Sequence, residues 1–444
     1  MSFSKYLPVY RKNLVLAVPV IFSQIGQVTV NLVDNMMVGH LGTTELAAAS
    51  FANNVFLIGM LFGIGFTLGL TPLVGQSLRL NNKRSIGAWL RNGVLVHGIV
   101  SIILGILMSF VVFFMEYMGQ REDVVQLAAP YYLIHVFSLI PLLIFFSIKQ
   151  FYEGIGNTKI AMVITIIVNV VNVGLNYILI YGKLGFPEFG LNGSACASLI
   201  SRMLMPVIFI GIVFRVPQLA KYMRAARCTT FEKEKIKKII HIGVPIGLQS
   251  VIEVLSFSFG AVMLGWISKE AIAGHQVAMG LISMTYLISF GLASGTTIRV
   301  SHAFGDKNRT ELRQTILASV HIVLAFMSLM GILFILFRNQ LPLLFTSDPE
   351  VVKIASKLFV VAAFFQIFDG MQVVLLGALR GMADVRIPMF MAFFSYMVIC
   401  LPVSYLLAFV LNIGFSGVWI GWVFGLSIAA LLFGFRLIKQ LRAF

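Results

Sequence analysis

The chain has 444 residues, of which 59% are hydrophobic and only 11% are charged. A soluble domain carries roughly 25% charged residues, so this composition excludes the water-soluble enzyme classes as well as a disordered chain. At about 20 residues per span, the length leaves room for about a dozen membrane helices. We therefore expect an all-α membrane protein that crosses the bilayer many times.

Twelve hydrophobic segments predict twelve transmembrane helices, with boundaries good to a few residues. Their ranges are near 14–38, 49–74, 92–115, 127–148, 160–181, 194–214, 239–267, 276–298, 315–337, 355–379, 387–410 and 415–435.

The basic residues are concentrated in alternate loops. Counting from the N-terminus, which we expect to be retained, 26 of the 33 Lys and Arg residues lie on the N-terminal side, including Lys5 and Arg380. Arg202 is the one arginine that the predicted spans enclose. By the positive-inside rule, both termini are predicted to be cytoplasmic. The net charge of +16 is then a topology signal, and we expect no nucleic-acid partner.

The two halves of the chain resemble each other. Val18-Pro19 matches Val244-Pro245 at an offset of 226 residues, and segment 153–162 matches segment 380–389 at an offset of 227. Six predicted spans separate the copies, so both enter the membrane from the same side. We predict two parallel six-helix lobes, 1–214 and 239–444, joined by a cytoplasmic linker at 215–238.

Three acidic residues lie inside predicted spans: Asp34, Glu253 and Asp369. An ionised side chain at the bilayer centre costs about 2.5–3.5 kcal/mol on insertion scales, so each is expected to face a cavity or a partner. Other polar residues recur every three or four positions on the same helices or share a face of the fifth span. These candidate cavity residues are Gln24, Gln27, Asn31, Asn172, Asn176, Gln249 and Gln366.

Carboxylates with amide oxygens suit a hard cation, and a carboxylate can also bind and release a proton. We interpret the three acids as sites for H⁺ or Na⁺ that also attract a cationic substrate. The alternative is a structural role in which they hold helices together, such as a pair between Asp34 and Arg202. No nucleotide-binding loop, zinc-protease motif or serine-hydrolase motif occurs, so we expect no enzyme activity and no cofactor.

Several segments resemble the multidrug and toxic compound extrusion (MATE) transporters, in their bacterial NorM branch. The most specific are PVIFSQIGQVTVNLVDNMMVGHLGTTELAA (19–48), VNVGLNYILIYGKLG (171–185), IEVLSFSFGAVMLGWISKEAIAGHQVA (252–278), TIRVSHAFGDKN (297–308) and FDGMQVVLLGALRGMAD (368–384). The resemblance implies a twelve-helix, two-lobed transporter of the bacterial inner membrane, which exports organic cations and other amphiphilic drugs in exchange for Na⁺ or H⁺. We expect it to act as a monomer surrounded by membrane lipid.

The resemblance also implies roles for individual residues. The first-helix acid of the family falls on Asp34, and the paired amides of its fifth helix fall on Asn172 and Asn176. The acids of the second lobe fall on Glu253 and Asp369, which form our candidate Na⁺ site. Archaeal relatives carry a second Asp at the position of Asn176, so we expect the coupling to depend more on Glu253 and Asp369.

Two other functions stay open at this stage. A flippase for lipid-linked saccharides would use the same fold, but it would favour several basic residues inside the cavity to hold a pyrophosphate. An intramembrane enzyme acting on lipid would need a nucleophile or a metal constellation, and the sequence shows neither.

Overall fold

The computed structural model describes residues 6–444, except for the side chain of Leu80. Lys5, which the charge count includes, lies outside the described residues. Twelve helices in this range are long and apolar enough to cross a membrane. They are α1 (Leu7–Gly39), α2 (Thr43–Ser77), α3 (Lys83–Met118), α4 (Glu122–Gly154), α5 (Lys159–Tyr181), α6 (Gly190–Arg215), α7 (Lys233–Ile267), α8 (Lys269–Gly305), α9 (Arg309–Leu336), α10 (Pro349–Gly381), α11 (Arg386–Val410) and α12 (Phe415–Ala443).

Some of these helices depart locally from α-helical geometry. The last nine residues of α3, Phe110–Met118, form a 3₁₀ helix. In α11, two π-helical segments, Phe394–Cys400 and Leu406–Val410, flank Pro402. Proline cannot donate a backbone hydrogen bond and its ring crowds the preceding turn, so the ladder widens on either side of it. Short 3₁₀ turns follow α2 (Leu78–Leu80) and α9 (Leu341–Leu344).

The all-α prediction with twelve spans is confirmed, but most of the helices are longer than the hydrophobic segments. Helix α4, for example, has 33 residues, Glu122–Gly154, against the predicted 127–148. At 1.5 Å per residue it is about 50 Å long, well beyond the roughly 30 Å of a hydrocarbon core. The extra turns carry charged residues into the helices.

Several basic residues lie further inside the helices than the hydrophobic segments indicate. Arg380 was expected in a loop and Arg202 was expected to be the one arginine inside a span. Lys149, Arg299 and Arg380 also lie within spanning helices, and the first two are buried. A hydrophobicity pattern ends a span where charge begins, whereas the helix continues as long as its packing continues.

The helices group into two compact units. One contains the described residues up to Ile21 together with Leu248–Phe444, and the other contains Phe22–Gly247. The unit boundaries therefore fall inside α1 and α7, whereas the predicted lobes divide at the linker 215–238. The difference arises because the first half of α1 packs with the C-terminal half of the chain. The first half of α7 packs with the N-terminal half.

In the unit Phe22–Gly247, the first half of α7 packs closely on α2. A Cβ atom at Gly243 would lie 2.7 Å from the carbonyl oxygen of Phe66, and one at Gly247 would lie 2.8 Å from that of Phe62. Such distances leave no room for a side chain. Glycines four residues apart thus let the two backbones meet, as in other membrane helix pairs.

The linker region belongs to this same unit. It contains a helix, Pro217–Arg227, which α7 follows after a short turn. Tyr152 on α4 donates its hydroxyl hydrogen to the carbonyl oxygen of Leu219 at 3.3 Å. The backbone N–H of Glu232 donates to Oδ1 of Asn92 on α3 at 3.0 Å. The linker is therefore a docked element with defined contacts.

In the other unit, the first half of α1 packs on α8 in the corresponding way. A Cβ atom at Gly291 would clash with the side chain of Ile21, and one at Gly295 would lie 3.2 Å from the backbone nitrogen of Ala17. Asn13 is fully buried and donates from Nδ2 to Oγ of Ser319 at 2.8 Å. The apolar core of this unit is built around aromatic residues, with Trp419, Trp422, Phe365 and Phe433 among its buried side chains.

Candidate functional site

A cavity of about 310 Å³ lies within the unit Phe22–Gly247. Its volume is at the lower end of the range for small-molecule sites. Its polar lining comes from α1, α2, α4, α5 and α6: Gln27, Asn31, Asp34, Asn35, Asn53, Asn54, Tyr131, His135, Asn169, Asn172, Ser198, Ser201 and Arg202. Its apolar lining includes Phe56, Leu57, Met60, Ile64, Leu142, Phe146, Val168 and Met205.

Asp34 is connected to the two asparagines of α5. Nδ2 of Asn176 donates to Oδ1 of Asp34 and also lies 3.3 Å from Oδ1 of Asn172. Both asparagines are buried. They lie on the same face of α5, because residues four apart on a helix share one face. This amide pair holds the carboxylate of Asp34 at the cavity wall, where it can attract a cation.

Arg202 lies at the same cavity with different partners. Its Nη1 donates to Oγ of Ser138 on α4, and its guanidinium stacks over the ring of Phe56, 5.3 Å from the centroid. Among the described residues, Asp34 and Arg202 form no salt bridge with each other. The structure therefore does not contain the direct pair between Asp34 and Arg202 that the structural alternative predicted.

The remaining residues predicted on α1 differ in position. Gln27 and Asn31 line the cavity next to Asp34, since they follow one another at helical spacing. Gln24 is partly buried on the same helix but does not line the cavity.

A second polar cluster lies in the unit that contains Leu248–Phe444. Nε2 of Gln372 on α10 lies 3.4 Å from Oε1 of Glu253 on α7 and 3.4 Å from Oδ1 of Asp369, one turn before it. One amide thus bridges the two carboxylates. Asp369 and Gln372 are buried, whereas Glu253 is half-buried. The two acids of the second lobe are therefore neighbours.

Three further residues complete this cluster. Nη2 of Arg380 donates to Oε1 of Gln249, one turn before Glu253 on α7, at 3.3 Å. Gln366 is fully buried, and neither of its amide atoms has a hydrogen-bond partner within residues 6–444. The Oε1 atom of Gln372 is likewise unpartnered in that range. The cluster therefore offers carboxylate and amide oxygens with unused capacity.

This set of atoms suits a monovalent cation or a proton. Carboxylate and amide oxygens are hard ligands of the kind that alkali and alkaline-earth ions prefer, and either carboxylate can also hold a proton. No group of three or more His, Cys, Asp or Glu side chains close enough to hold a metal ion occurs among the described residues.

Several residues of the cavity and the cluster were not predicted as site residues from the sequence. Tyr131 and His135 stack with ring centroids 4.5 Å apart and line the cavity from α4. Asn53 donates to the hydroxyl of Tyr131 at 3.5 Å. The adjacent amides Asn53-Asn54 in an apolar span were an available signal, whereas Arg380 gave none because it stands at the end of its span.

Comparison with known proteins assigns the chain to a family. The MatE family model matches residues 19–178 and, a second time, residues 245–406. The chain belongs to the MatE family. The two matches confirm that the halves are repeats, and MatE proteins are transporters rather than enzymes.

MatE relatives of similar length cover almost the whole chain. It is 33% identical over 442 residues to the probable multidrug resistance protein NorM of Rhizobium meliloti (strain 1021), covering 98% of this chain and 94% of that one. It is 32% identical over 440 residues to the probable multidrug resistance protein NorM of Agrobacterium fabrum (strain C58), covering 97% and 93%. The resemblance to the NorM branch is thereby confirmed.

Solved MatE structures share the fold. A eukaryotic MATE transporter aligns with a TM-score of 0.86 at 23% identity, covering 99% of this chain and 98% of that one. The bent form of the Vibrio cholerae MATE transporter VcmN aligns with a TM-score of 0.86 at 19% identity, covering 99% and 98%. The chain is thus a multi-pass membrane transporter with twelve spans.

Proposed function

We propose that this MatE transporter is a secondary antiporter that exports organic, often cationic, compounds in exchange for Na⁺ or H⁺. The observation that carries the proposal is the presence of two separate acidic sites. Asp34 lies at a cavity of drug-like volume, and Glu253 and Asp369 are bridged by Gln372 in the other unit. The NorM relatives, whose names describe multidrug resistance, support the substrate class.

In this mechanism the cavity binds the organic compound. Its cationic group is attracted by the Asp34 carboxylate, and its apolar part contacts side chains such as Phe56 and Met60. A proton or Na⁺ that binds Asp34 removes the negative charge that the cation needs, so the two compete for the same site. Glu253 and Asp369 bind the coupling cation, with oxygen atoms from Gln372 and Gln366 as further ligands.

The same proposal includes the membrane context. The charge asymmetry of the loops supports an orientation with both termini in the cytoplasm, and the NorM relatives support the bacterial inner membrane. We propose a monomer that needs no cofactor beyond its coupling ion, with membrane lipid around it. Rocking of one lobe against the other would expose the substrate site to alternate sides.

The test is efflux of a fluorescent organic cation from proteoliposomes under an imposed Na⁺ gradient or an imposed pH gradient. Transport driven by one gradient alone identifies the ion. We expect Asp34→Asn, Glu253→Gln and Asp369→Asn each to reduce gradient-driven efflux, whereas Glu188→Gln, at an exposed loop acid, leaves it unchanged. Undiminished efflux in all three variants would contradict the proposal. Folded protein that responds to neither gradient would favour the flippase for lipid-linked saccharides.

A further inference from the structure

The cavity in the unit Phe22–Gly247 contains one acidic and one basic side chain that are not paired in a salt bridge. Asp34 accepts its hydrogen bond from Asn176, and Arg202 donates to Ser138. Both line the cavity, yet they form no salt bridge with each other in the part of the chain that the structure describes. Since no direct pair occupies either group, each can contact a charge of the opposite sign on a bound molecule.

Arg202 has more hydrogen-bonding capacity than the protein uses. A guanidinium group carries five N–H donors, and within residues 6–444 only one acceptor, Oγ of Ser138, is hydrogen-bonded to it. The ring of Phe56 covers one of its faces, which leaves the edge with its N–H groups available. A planar guanidinium presented in this way matches a carboxylate, which can accept two parallel hydrogen bonds.

A second donor lies on the same helix face. Ser198, Ser201 and Arg202 on α6 all line the cavity, as residues three and four apart on a helix do. Ser201 is only 3% exposed, and its hydroxyl has no hydrogen-bond partner among the described residues. A buried hydroxyl without a partner is costly, so a ligand that supplies an acceptor is favoured there.

We infer that Arg202 and Ser201 form a carboxylate-binding subsite. Among compounds whose cationic group is bound by Asp34, these two residues select those that also carry a carboxylate. The inference deepens the proposed function, on which it rests, by assigning two residues that determine specificity at the same cavity. The single positive charge of Arg202 neutralises one carboxylate on the ligand, while Asp34 neutralises the cationic group of the ligand. A pyrophosphate, with its several negative charges, would be repelled by Asp34 and only partly neutralised by Arg202.

The experiment compares two dyes that differ only in their carboxylate group. One is an unsubstituted free-acid rhodamine, which is a zwitterion, and the other is its methyl ester, which is a cation. Binding to the purified full-length protein is measured by fluorescence anisotropy without any ion gradient. We expect wild type to bind the free acid about tenfold more tightly than the ester, as a charge-assisted hydrogen bond provides. Arg202→Gln should abolish this preference without weakening the binding of the ester, because it removes a positive charge that repels a cation in the cavity.

Three variants serve as comparisons. Arg202→Lys keeps the charge without the forked geometry and should keep a reduced preference for the free acid. Ser201→Ala removes the second donor and should weaken free-acid binding alone by several-fold. Arg313→Gln removes a positive charge at an exposed residue that does not line the cavity, and it should leave both affinities unchanged.

The results separate a binding role from a structural one. Equal weakening of both dyes by Arg202→Gln, or no change in either, would overturn the inference. If Arg202→Gln does not fold, Arg202→Lys takes its place, and equal binding of the two dyes by Arg202→Lys would also overturn the inference. Gradient-driven transport is measured separately, so a binding preference that depends on Arg202 without any transport would contradict the proposed function and leave the carboxylate subsite standing.

Discussion

Arg380 donates a hydrogen bond from Nη2 to Oε1 of Gln249 at 3.3 Å, and Gln249 lies one helical turn before Glu253 on α7. The guanidinium is thereby held where it interacts electrostatically with Glu253. Two carboxylates and one guanidinium leave the cluster with a single net negative charge when all are ionised. One monovalent cation is enough to neutralise it.

Removal of this positive charge should make the cluster bind its coupling cation more tightly. For Arg380→Gln we expect the cation concentration at half-maximal transport to fall roughly tenfold, because Glu253 loses a competing positive charge. Turnover should fall as well, since a tightly held cation is released slowly. The measurement is the transport rate against Na⁺ concentration or pH, whichever gradient drives wild type. Arg380→Lys keeps the positive charge, so it is the control and should stay close to wild type. An unchanged or higher cation concentration at half-maximal transport in Arg380→Gln would contradict an electrostatic role for Arg380.

The bridging amide of Gln372 can be tested by a residue of similar size without polar hydrogens. Gln372→Met should reduce coupled transport about tenfold or more, because Glu253 and Asp369 lose their shared donor and one amide oxygen. Binding of the ester dye in the other unit, without a gradient, should change less than about twofold. If transport is retained while binding is lost, the bridge has no part in coupling.

Asn176 tests how Asp34 is held. It is fully buried and donates to the carboxylate, so Asn176→Leu should leave Asp34 without that partner. We expect the variant to lose about 1–3 kcal/mol of stability and to bind the cationic ester dye several-fold more weakly, because the charged form of Asp34 is less well stabilised. Thermal unfolding in detergent and anisotropy titration measure the two effects. Wild-type affinity for the ester would show that the asparagine is only helix packing.

The close helix contact at Gly243 makes a prediction about stability alone. A Cβ atom there would lie 2.7 Å from the carbonyl oxygen of Phe66, so Gly243→Ala should force α2 and α7 apart and cost about 1–3 kcal/mol. Gly211 in α6 has nothing within 4 Å of the same added atom. Gly211→Ala should therefore leave the unfolding temperature unchanged or raise it, since alanine is the better helix former. Equal destabilisation by both changes would contradict the packing.

The sequence predicted which residues of a helix share a face, but not which helices meet. The spacing of Gln366, Asp369 and Gln372 placed them on one stripe, because helical periodicity is a local property. That Gln372 contacts Glu253, 119 residues earlier, depends on the packing of α7 against α10. Local periodicity contains no information about such a contact.

The same limit applied to the basic residues. Arg202 was found as a charge inside an apolar segment, yet its partner Ser138 lies 64 residues away on another helix, and the sequence analysis considered Asp34 instead. Arg380 was assigned to a loop because it follows the last apolar residues of its segment. Its helix continues to Gly381 and carries it to Gln249. The charged residue that follows the apolar segment, Arg380, therefore lies within both the helix and the polar cluster.

The buried Asn13 at the start of α1 has a consequence for the synthesis of the protein. Its hydrogen-bond partner Ser319 is 306 residues further along the chain. At roughly 5–20 residues per second, a ribosome needs about 15–60 s to make that stretch. During this time the polar amide of Asn13 on α1 has no Ser319 to bond. Helix α1 is thus made well before its packing can be completed, and until then Asn13 needs water, lipid headgroups or an insertion factor as a temporary partner.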